Sequence, residues 1–222
     1  MSARDKILGR IRASLSAREG DTARWQAARR HIATHSEGLV PARARLERDA
    51  LEAQFRAFLE GQTATVLEAA TADEVPARVA AFLLSAGAER TVRIGGDPRL
   101  AAMPWSANGI DALHGAAAAD DAVGLSHAMA GIAETGTLVI AAGAANPVTL
   151  AFLPATHVIV VAREDIVGSY EEALARVRGV FGPTGMPRTL NFISGPSRTA
   201  DIGGKIVIGA HGPRSMCVVV VG

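Results

Sequence analysis

Residues 1–61 contain two helical patterns separated by a polar stretch. Residues 3–17 carry apolar side chains three and four positions apart among arginines and lysines, which is typical of an amphipathic helix. Gly20 breaks this pattern, and residues 19–44 are mostly polar. Residues 45–60 predict a second helix that stops at Gly61. The apolar positions of the two helices are Ile7, Leu8, Ile11 and Leu15, and then Leu46, Leu51, Phe55, Phe58 and Leu59.

From residue 63 onward, short apolar runs alternate with helical patterns, which predicts a βαβ arrangement. Several runs are continuous Val, Ile and Leu, as expected of parallel strands that are covered on both faces. The chain is therefore predicted to be an α/β protein with a helical N-terminal arm, residues 1–61, and an α/β domain, residues 62–222. The expected strands are residues 65–67, 91–94, 123–129, 137–141, 157–161, 189–193, 205–208 and 216–221.

Charge is distributed unevenly along the chain. Residues 1–60 hold 12 Lys and Arg against 8 Asp and Glu, and the remaining residues hold 11 against 14. A basic arm on a mildly acidic body suits nucleic acid, an anionic membrane or an acidic partner subunit. Because the acidic residues of the arm are evenly interspersed, an ordinary solvated helix face is the favoured interpretation. No nucleic-acid recognition motif accompanies the charge, so we expect no nucleic-acid partner.

Cys217 is the single cysteine of the chain. It excludes a disulfide within the chain and an iron–sulfur cluster held by several of the chain's own cysteines. Its place before a run of valines predicts a buried, unreactive thiol. No run reaches the roughly 18 apolar residues of a membrane span, and no apolar signal core follows Met1, so we expect a cytoplasmic protein.

The first segment with candidate chemistry lies between two apolar runs, at residues 131–137. Gly136 permits a tight turn that would hold the Glu134 carboxylate and the hydroxyls of Thr135 and Thr137 at a strand end. Glu134 would then act as a general base, a nucleophile or an acceptor for a substrate hydroxyl. A hairpin turn whose Glu and Thr side chains satisfy local backbone groups is an equally good interpretation.

The second segment follows the expected strand 189–193 and spans residues 194–201. A glycine turn leading toward a helix start would offer free backbone N–H groups to an anion. Arg198 would contribute most, because its planar guanidinium matches a carboxylate bidentately. The alternative is ordinary helix capping, with Arg198 paired to Asp201 or solvated. Ser194, Ser197, Arg198 and Thr199 are the substrate-binding candidates here, together with Thr135 and Thr137.

The third segment, residues 209–214, places His211 between glycines and before the last expected strand. Such a histidine has room for a close ligand and suits proton transfer, although an exposed hairpin histidine is about as common. Glu134 and His211 are the catalytic candidates. The other histidines lack the spacing and the neighbouring glutamate of a helical zinc motif, so no metal is expected. Gly95-Gly96-Asp97 follows a strand, but no dinucleotide-binding or P-loop pattern is present, and no cofactor is expected.

These segments, in this order, resemble the LUD domain of the lactate-utilisation protein C family. The matching stretches are residues 131–138, GIAETGTL; 153–158, LPATHV; 191–202, NFISGPSRTADI; and 209–213, GAHGP. Residues 1–15 are similar to the family's opening, and the likeness is vaguest across residues 19–44. After Ile202 the family usually has an acidic residue, whereas this chain has Gly203-Gly204, which puts a charge role at that position in doubt.

The resemblance implies a three-layer α/β/α sandwich around a mainly parallel sheet, like that of the sugar-phosphate isomerases and CoA transferases. It also implies a non-redox subunit that takes part in L-lactate oxidation to pyruvate beside iron–sulfur oxidoreductase subunits. The expected ligand is a small anionic substrate such as lactate. An alternative is a free-standing CoA-transferase or isomerase-like enzyme that acts on a small anionic substrate. Whether this chain itself catalyses a step stays open.

The candidate residues share one further expectation, which concerns their location. Ligands of parallel α/β sheets collect at the carboxyl ends of the strands. We therefore expect the side chains of the three segments to converge on one cleft at that end. The residues concerned are Glu134, Ser197, Arg198, Thr199 and His211.

Overall fold

The structure is a computed structural model that describes residues 2–15, 21–183, 185–202 and 204–222, with the side chains of Asp201 and Ile202 also left out. Residues 16 and 17 of the first expected helix, its expected break at Gly20, and Gly203 lie outside the described residues, as does the side chain of Asp201 as a partner for Arg198. No helix among the described residues is long and apolar enough to cross a membrane.

The chain divides into two compact units, residues 1–39 and residues 40–222. The first unit contains α1 (Ala3–Ser14) and α2 (Thr22–Thr34). Ser2 and Asp5 form a reciprocal capping box at the start of α1, which explains why the helix begins there. Neither helix has a buried side chain, so these residues contribute no core of their own.

The second unit alternates strands and helices, as the apolar pattern predicts. In chain order its elements are α3 (Arg48–Gly61), β1 (Thr65–Ala69), α4 (Val75–Ser85), β2 (Thr91–Ile94), α5 (Pro98–Ala101), β3 (Asp111–His114), β4 (Val123–His127), β5 (Ala130–Ile132), β6 (Thr137–Ala141), β7 (Thr156–Ala162), β8 (Ile166–Val167), α6 (Tyr170–Phe181), β9 (Leu190–Ile193), β10 (Arg198–Ile202), β11 (Lys205–Ile208) and β12 (Ser215–Val221). Short 3₁₀ helices lie at Ala42–Ala44, Ala72–Glu74, Ser106–Asn108, Val148–Ala151 and Arg163–Asp165.

Six of these strands form a central sheet in the order β1-β12-β7-β4-β2-β3, and every neighbouring pair is parallel. All six therefore begin at one end of the sheet, here called the amino end, and finish at the other, the carboxyl end. Side chains of α4 pack on one face of this sheet and side chains of α3 on the other. The predicted α/β fold, with a mainly parallel sheet flanked by helices, is confirmed.

A second sheet of four strands, in the order β8-β5-β6-β9, packs on the face that α3 also covers. Residues of α6 cover its outer side, where Ala173 and Val177 join the buried cluster. The sequence pattern did not predict this sheet. The expected strand 123–129 is in fact β4, which ends at His127, followed by the connection to β5. The apolar residues continue through this connection, so the pattern does not reveal the change of direction.

The expectation of a helix start after residue 194 is wrong. Residues 198–202 form β10, which pairs with β11 in an antiparallel ribbon of two strands with a register shift between Thr199 and Ile202. The cause is cross-strand pairing, since Arg198 lies opposite Ile208 and Thr199 opposite Val207. Local capping residues do not reveal such a distant partner.

Helix α3, which we expected in the arm, packs with the second unit. Phe55 and Leu59 are fully buried and join a cluster that includes Val66 of β1 and Val218 of β12. The backbone before α3 belongs there too, because the Ala44 carbonyl lies so close to Gly168 that a side chain at residue 168 would collide with it.

Candidate functional site

Glu134 lies in the tight turn that joins β5 to β6, so the hairpin interpretation of this segment describes its backbone correctly. Its N–H donates to the Gly168 carbonyl over 3.1 Å, and the residue is only 6% exposed. One carboxylate oxygen, Oε2, is buried without a hydrogen-bond partner among the residues that the structure describes. Burying a carboxylate oxygen without a partner costs free energy.

The conformation of this turn depends on Gly136. Its φ is +61°, a left-handed conformation that side chains other than glycine rarely adopt. A Cβ atom at this position would also lie 2.5 Å from the Cβ of Phe58. Helix α3 therefore packs directly against the turn, and this contact sets the position of Glu134 and Thr135.

Four hydroxyl groups meet beside the turn and form what we call the hydroxyl cluster, Thr135, Thr137, Tyr170 and Ser194. The Thr135 and Thr137 hydroxyl oxygens lie 2.7 Å apart, and the Tyr170 hydroxyl lies 3.1 and 3.2 Å from them. Thr137 also bonds to the Ser194 hydroxyl over 2.7 Å. Tyr170 was not predicted from the sequence, because its position at the start of α6 resembles an ordinary first helical turn after the Ser169 cap.

A cavity of about 310 Å³ adjoins the hydroxyl cluster and contains most of the predicted substrate-binding residues. Thr137 reaches this cavity only through Ser194, and neither Glu134 nor Thr135 is among its lining residues. The predicted residues that line it are Ser194, Ser197, Arg198, Thr199 and His211.

The expected location at the carboxyl end of the sheet is wrong for this cavity. His157 and Met216 line it, and they lie at the starts of β7 and β12, which places it at the amino end. The reason is topological. Strand β9 runs antiparallel to β6 and ends at Ile193, opposite Leu138, which carries the Ser194 loop back toward the amino end.

Arg198 is held by the end of α3 and the residues that follow it. Its Nη2 donates to the Gln62 carbonyl over 3.1 Å and to the Thr63 hydroxyl over 2.9 Å, and Nη1 lies 3.4 Å from Gln62 Oε1. These bonds occupy part of the guanidinium and fix its orientation at the cavity. An anion in the cavity would meet the remaining N–H groups of a side chain that is already positioned.

The backbone around Ser197 is less open to a ligand than the glycine content suggests. The Ser197 N–H donates to the Pro213 carbonyl over 2.8 Å, and its carbonyl accepts from the Gly209 N–H over 2.9 Å. The His211 N–H points to the Ser197 hydroxyl at 3.4 Å. The second and third segments are thus tied together, and the Ser197 N–H is not the free anion donor that we expected.

His211 stands between two cavities. Besides lining the first, it lines a neighbouring cavity of about 550 Å³ together with Phe152, Leu153 and Arg214. Its side chain is exposed, so it retains the freedom to contact a ligand that enters from either side. This position suits the proton-transfer or hydrogen-bonding role predicted for it.

His157 is a cavity residue that the sequence analysis did not single out. Its Nε2 bonds to the Ser126 hydroxyl over 3.0 Å, and burial lowers the pKa of the ring to about 3. The ring is therefore neutral near pH 7. The signal was present in the sequence, because residues 153–158 form one of the four matching stretches, but a histidine in an apolar run is more often a core residue.

Comparison with known proteins agrees with this arrangement of motifs. The sequence profile of the LUD domain matches residues 52–221, which is most of the chain. The chain belongs to the LUD domain family. The profile begins within α3, in agreement with the packing of this helix on the sheet.

Individual relatives of this LUD domain protein match about half of the chain. It is 31% identical over 99 residues to lactate utilization protein C of Shouchella clausii, and 35% identical over 100 residues to the protein of that name from a Geobacillus species. These matches span 45% of this chain and 43% and 42% of the two relatives.

A solved structure also shares the fold. The crystal structure of a DUF162 family protein from Deinococcus radiodurans is 26% identical and superposes with a TM-score of 0.62, covering 80% of this chain and 99% of that one.

Within the described part of the chain, no three His, Cys, Asp or Glu side chains are grouped to hold a metal ion. Cys217 is buried in β12, and burial raises the pKa of its thiol to about 12.

Proposed function

We propose that the chain is a non-redox subunit of a cytoplasmic L-lactate utilisation system and that it works beside iron–sulfur oxidoreductase subunits. In this role it binds the small anionic substrate in the cavity at the amino end of the sheet. The observation that carries the proposal is the shared cavity, in which the family motifs bring Ser194, Ser197, Arg198 and His211 around one space. The names of the curated relatives support the lactate part.

The chemistry of the cavity suits a 2-hydroxy acid. Arg198 would hold the carboxylate, since its guanidinium is fixed by Gln62 and Thr63. His211 or the Ser194 hydroxyl would meet the substrate hydroxyl, and Thr137 behind Ser194 orients that hydroxyl. Oxidation of lactate to pyruvate releases two electrons and two protons, and in this proposal the electrons pass to clusters on the partner subunits.

The division of labour is supported by the position of the chain's one cysteine. Cys217 lies in the second strand of the central sheet with its thiol protonated, so it is poorly placed to ligate a cluster. Redox groups would then be supplied by the partners, and this chain would supply substrate binding or assembly.

The proposal is tested by isolating the full chain with an affinity tag from its native cells. We expect iron–sulfur proteins to co-purify with it and the complex to reduce a dye when L-lactate is added. A Cys217→Ala variant should retain the same iron content in the complex. Isolation of the chain without iron-containing partners, or a lactate-dependent activity that is unchanged when the chain is omitted from a reconstituted system, contradicts the proposal.

A second candidate is a CoA-transferase-like enzyme, and one observation favours it. One carboxylate oxygen of Glu134, Oε2, is buried without a described hydrogen-bond partner, and a carboxylate oxygen is the nucleophile in this class of reaction. In that reaction the carboxylate attacks an acyl-CoA, forms a mixed anhydride and releases the CoA thiolate. The thiolate then attacks the glutamyl carbonyl and frees the acid. Incubation with acetyl-CoA, followed by borohydride reduction and mass measurement of wild type and Glu134→Gln, distinguishes the two functions.

A further inference from the structure

The carboxyl end of the central sheet contains a second group of polar side chains, far along the strands from the motif residues. Strands β2 and β4 are neighbours in the sheet, with Ile94 opposite Leu125. After β2 the next strand of this sheet is β3 on one side. After β4 the next is β7 on the other side, which the chain reaches through β5 and β6 of the second sheet. Connections that leave adjacent parallel strands in opposite directions open a crevice between them, and this is where such sheets bind ligands.

The residues that follow β2 place an oriented arginine at this point. Asp97 is 2% exposed, and its two oxygens accept hydrogen bonds from Nε and Nη2 of Arg99 at 3.0 and 2.7 Å. Burial raises the pKa of the Asp97 carboxyl, but the hydrogen bonds from Arg99 outweigh it and the pKa lies below its ordinary value. Arg99 is 55% exposed and has a free Nη1 among the described contacts. Asp97 therefore positions a guanidinium that still has donors to offer.

The last residue of β4, His127, adds an acceptor. It is 5% exposed, and its Nδ1 lies 2.8 Å from the Ala128 carbonyl. A carbonyl only accepts hydrogen bonds, so Nδ1 carries the proton and Nε2 has a free lone pair. Burial lowers the pKa of this ring, and the nearby charge of Arg99 adds to the effect. No described residue hydrogen-bonds to Nε2.

The loop that follows β6 packs directly against the residues after β2. The Ala144 carbonyl accepts the Gly96 N–H over 2.8 Å, and a Cβ at Gly95 would collide with the Ala145 carbonyl. Asn146 is 7% exposed, and its Oδ1 accepts the His127 N–H over 3.0 Å. This leaves the amide N–H₂ of Asn146 available as a donor beside the imidazole.

We propose that this crevice binds a small anion that also carries a hydroxyl group, with Arg99 holding the anionic group and His127 Nε2 accepting the hydrogen bond of the hydroxyl. Asp97 is a positioning residue that acts through Arg99. A hydroxycarboxylate and a hydroxyalkyl phosphate share this chemistry. The site lies at the opposite end of the sheet from the 310 Å³ cavity and does not depend on the function proposed for that cavity.

The test uses the full chain and two pairs of probes. The first pair is L-lactate and propionate, and the second pair is glycerol 3-phosphate and propyl phosphate. The two members of each pair differ only in their hydroxyl groups. Binding is measured by calorimetry, and the site is located from amide shifts in nitrogen-15 spectra of the wild type. We expect one hydroxylated probe to bind at least fivefold more tightly than its partner and to shift Gly96, His127 and Asn146. The probe that binds identifies which anion the site takes.

Variants then test whether Arg99 and His127 bind the probe. His127→Asn keeps a donor for the Ala128 carbonyl and removes the acceptor Nε2. Arg99→Lys keeps the positive charge and removes the paired N–H donors of the guanidinium. Each should weaken binding at least tenfold, whereas Arg78→Gln on the exposed face of α4 should not change it. If neither hydroxylated probe binds, if neither probe shifts Gly96, His127 and Asn146, or if binding at these residues survives both variants, the proposal is overturned. Because the shift mapping uses wild type, an unfolded variant does not remove the test.

Discussion

The hydroxyl oxygens of Thr137 and Ser194 lie 2.7 Å apart, although 57 positions separate the two residues in the chain. Thr137 is fully buried and begins β6, whereas Ser194 directly follows β9, the strand that pairs with β6. The pair links the first motif to the second and connects the buried hydroxyl cluster to the cavity. Whatever enters the cavity therefore meets a serine whose hydroxyl is already oriented.

The hydrogen bond between Thr137 and Ser194 should give a measurable coupling energy when the two residues are substituted singly and together. Thr137→Val removes the hydroxyl that bonds to Ser194, Thr135 and Tyr170, and we expect a loss of about 1 to 3 kcal/mol in the free energy of unfolding. Ser194→Ala should cost less, because Ser194 is exposed. The two changes should be non-additive in urea titrations, with a coupling of at least about 0.5 kcal/mol. Simple additivity would show that the 2.7 Å contact does not stabilise the fold.

Arg198→Ala should weaken binding of a small carboxylate in the amino-end cavity at least tenfold, which is about 1.4 kcal/mol or more. The fold should persist, since Arg198 is exposed and its described bonds go to Gln62 and Thr63. Calorimetry with L-lactate and unfolding curves on the same samples measure both effects. Arg198→Lys serves as the matched variant, and it should fall between wild type and alanine. Equal affinity in wild type and Arg198→Ala means that the arginine is structural.

Gly136→Ala should destabilise the protein by roughly 1 to 3 kcal/mol, because alanine is strained at a φ of +61° and its Cβ would lie 2.5 Å from the Cβ of Phe58. Gly143→Ala is the control, since no atom lies within 4 Å of a Cβ there and its φ is ordinary. Thermal unfolding of the two variants should give clearly different midpoints. Similar midpoints would mean that α3 yields easily and does not set the position of the turn.

Truncation should distinguish the arm from the core. Residues 40–222 are expected to fold alone, because α1 and α2 bury no side chain. Residues 62–222 should not fold, because the fragment loses the buried Phe55 and Leu59. Circular dichroism and cooperative unfolding of the two fragments provide the comparison. If the 62–222 fragment unfolds cooperatively, α3 is not needed for the fold of the α/β domain, and the arm ends at residue 61 as the sequence predicted.

The 40–222 fragment also tests the function of the arm. We expect it to lose association with the iron–sulfur partners while it keeps its fold, because exposed Ile7, Ile11 and Trp25 lie among basic side chains and have no role in the core. The measurement is co-purification of full chain and fragment from the same cells. Undiminished capture by the fragment assigns the contact to the second unit.

Stability should depend on pH through His157. Its pKa is about 3 in the folded chain and about 6.5 when unfolded, so the unfolded state binds the extra proton between these values. The favourable contribution of the neutral buried ring is complete above the unfolded pKa and is lost as the pH falls below it. Between pH 7 and pH 5 this group should lower the free energy of unfolding by about 2 kcal/mol.

Because carboxylates also titrate in this range, the prediction is read from the difference between wild type and His157→Gln. The glutamine keeps an amide to bond with Ser126 and removes the titration. The variant should show a shallower pH dependence in urea unfolding at pH 7 and pH 5. Parallel curves for the two proteins would place the acid sensitivity elsewhere, with His127 as the next group to examine, since burial also lowers its pKa.

Much of the architecture could be inferred from local pattern. Continuous apolar runs predicted most of the central strands, because a strand that is buried on both faces needs apolar residues at every position. The motif residues could also be singled out, since glycine, hydroxyl and charged side chains at the ends of apolar runs are unusual for simple connections. Ser194, Ser197, Arg198, Thr199 and His211 indeed share one cavity.

The location and the neighbours of these residues depended on contacts between distant segments. The pairing of β6 with β9 brought Ser194 to the amino end, and the pairing of β10 with β11 replaced an expected helix. Tyr170 and His157 joined the site through neighbours 33 and 31 positions away. Local propensity acts over a few residues, whereas strand order is set by which apolar faces bury each other across the whole chain. For that reason the candidate site residues could be identified from the sequence, whereas their positions at the two ends of the sheet could not.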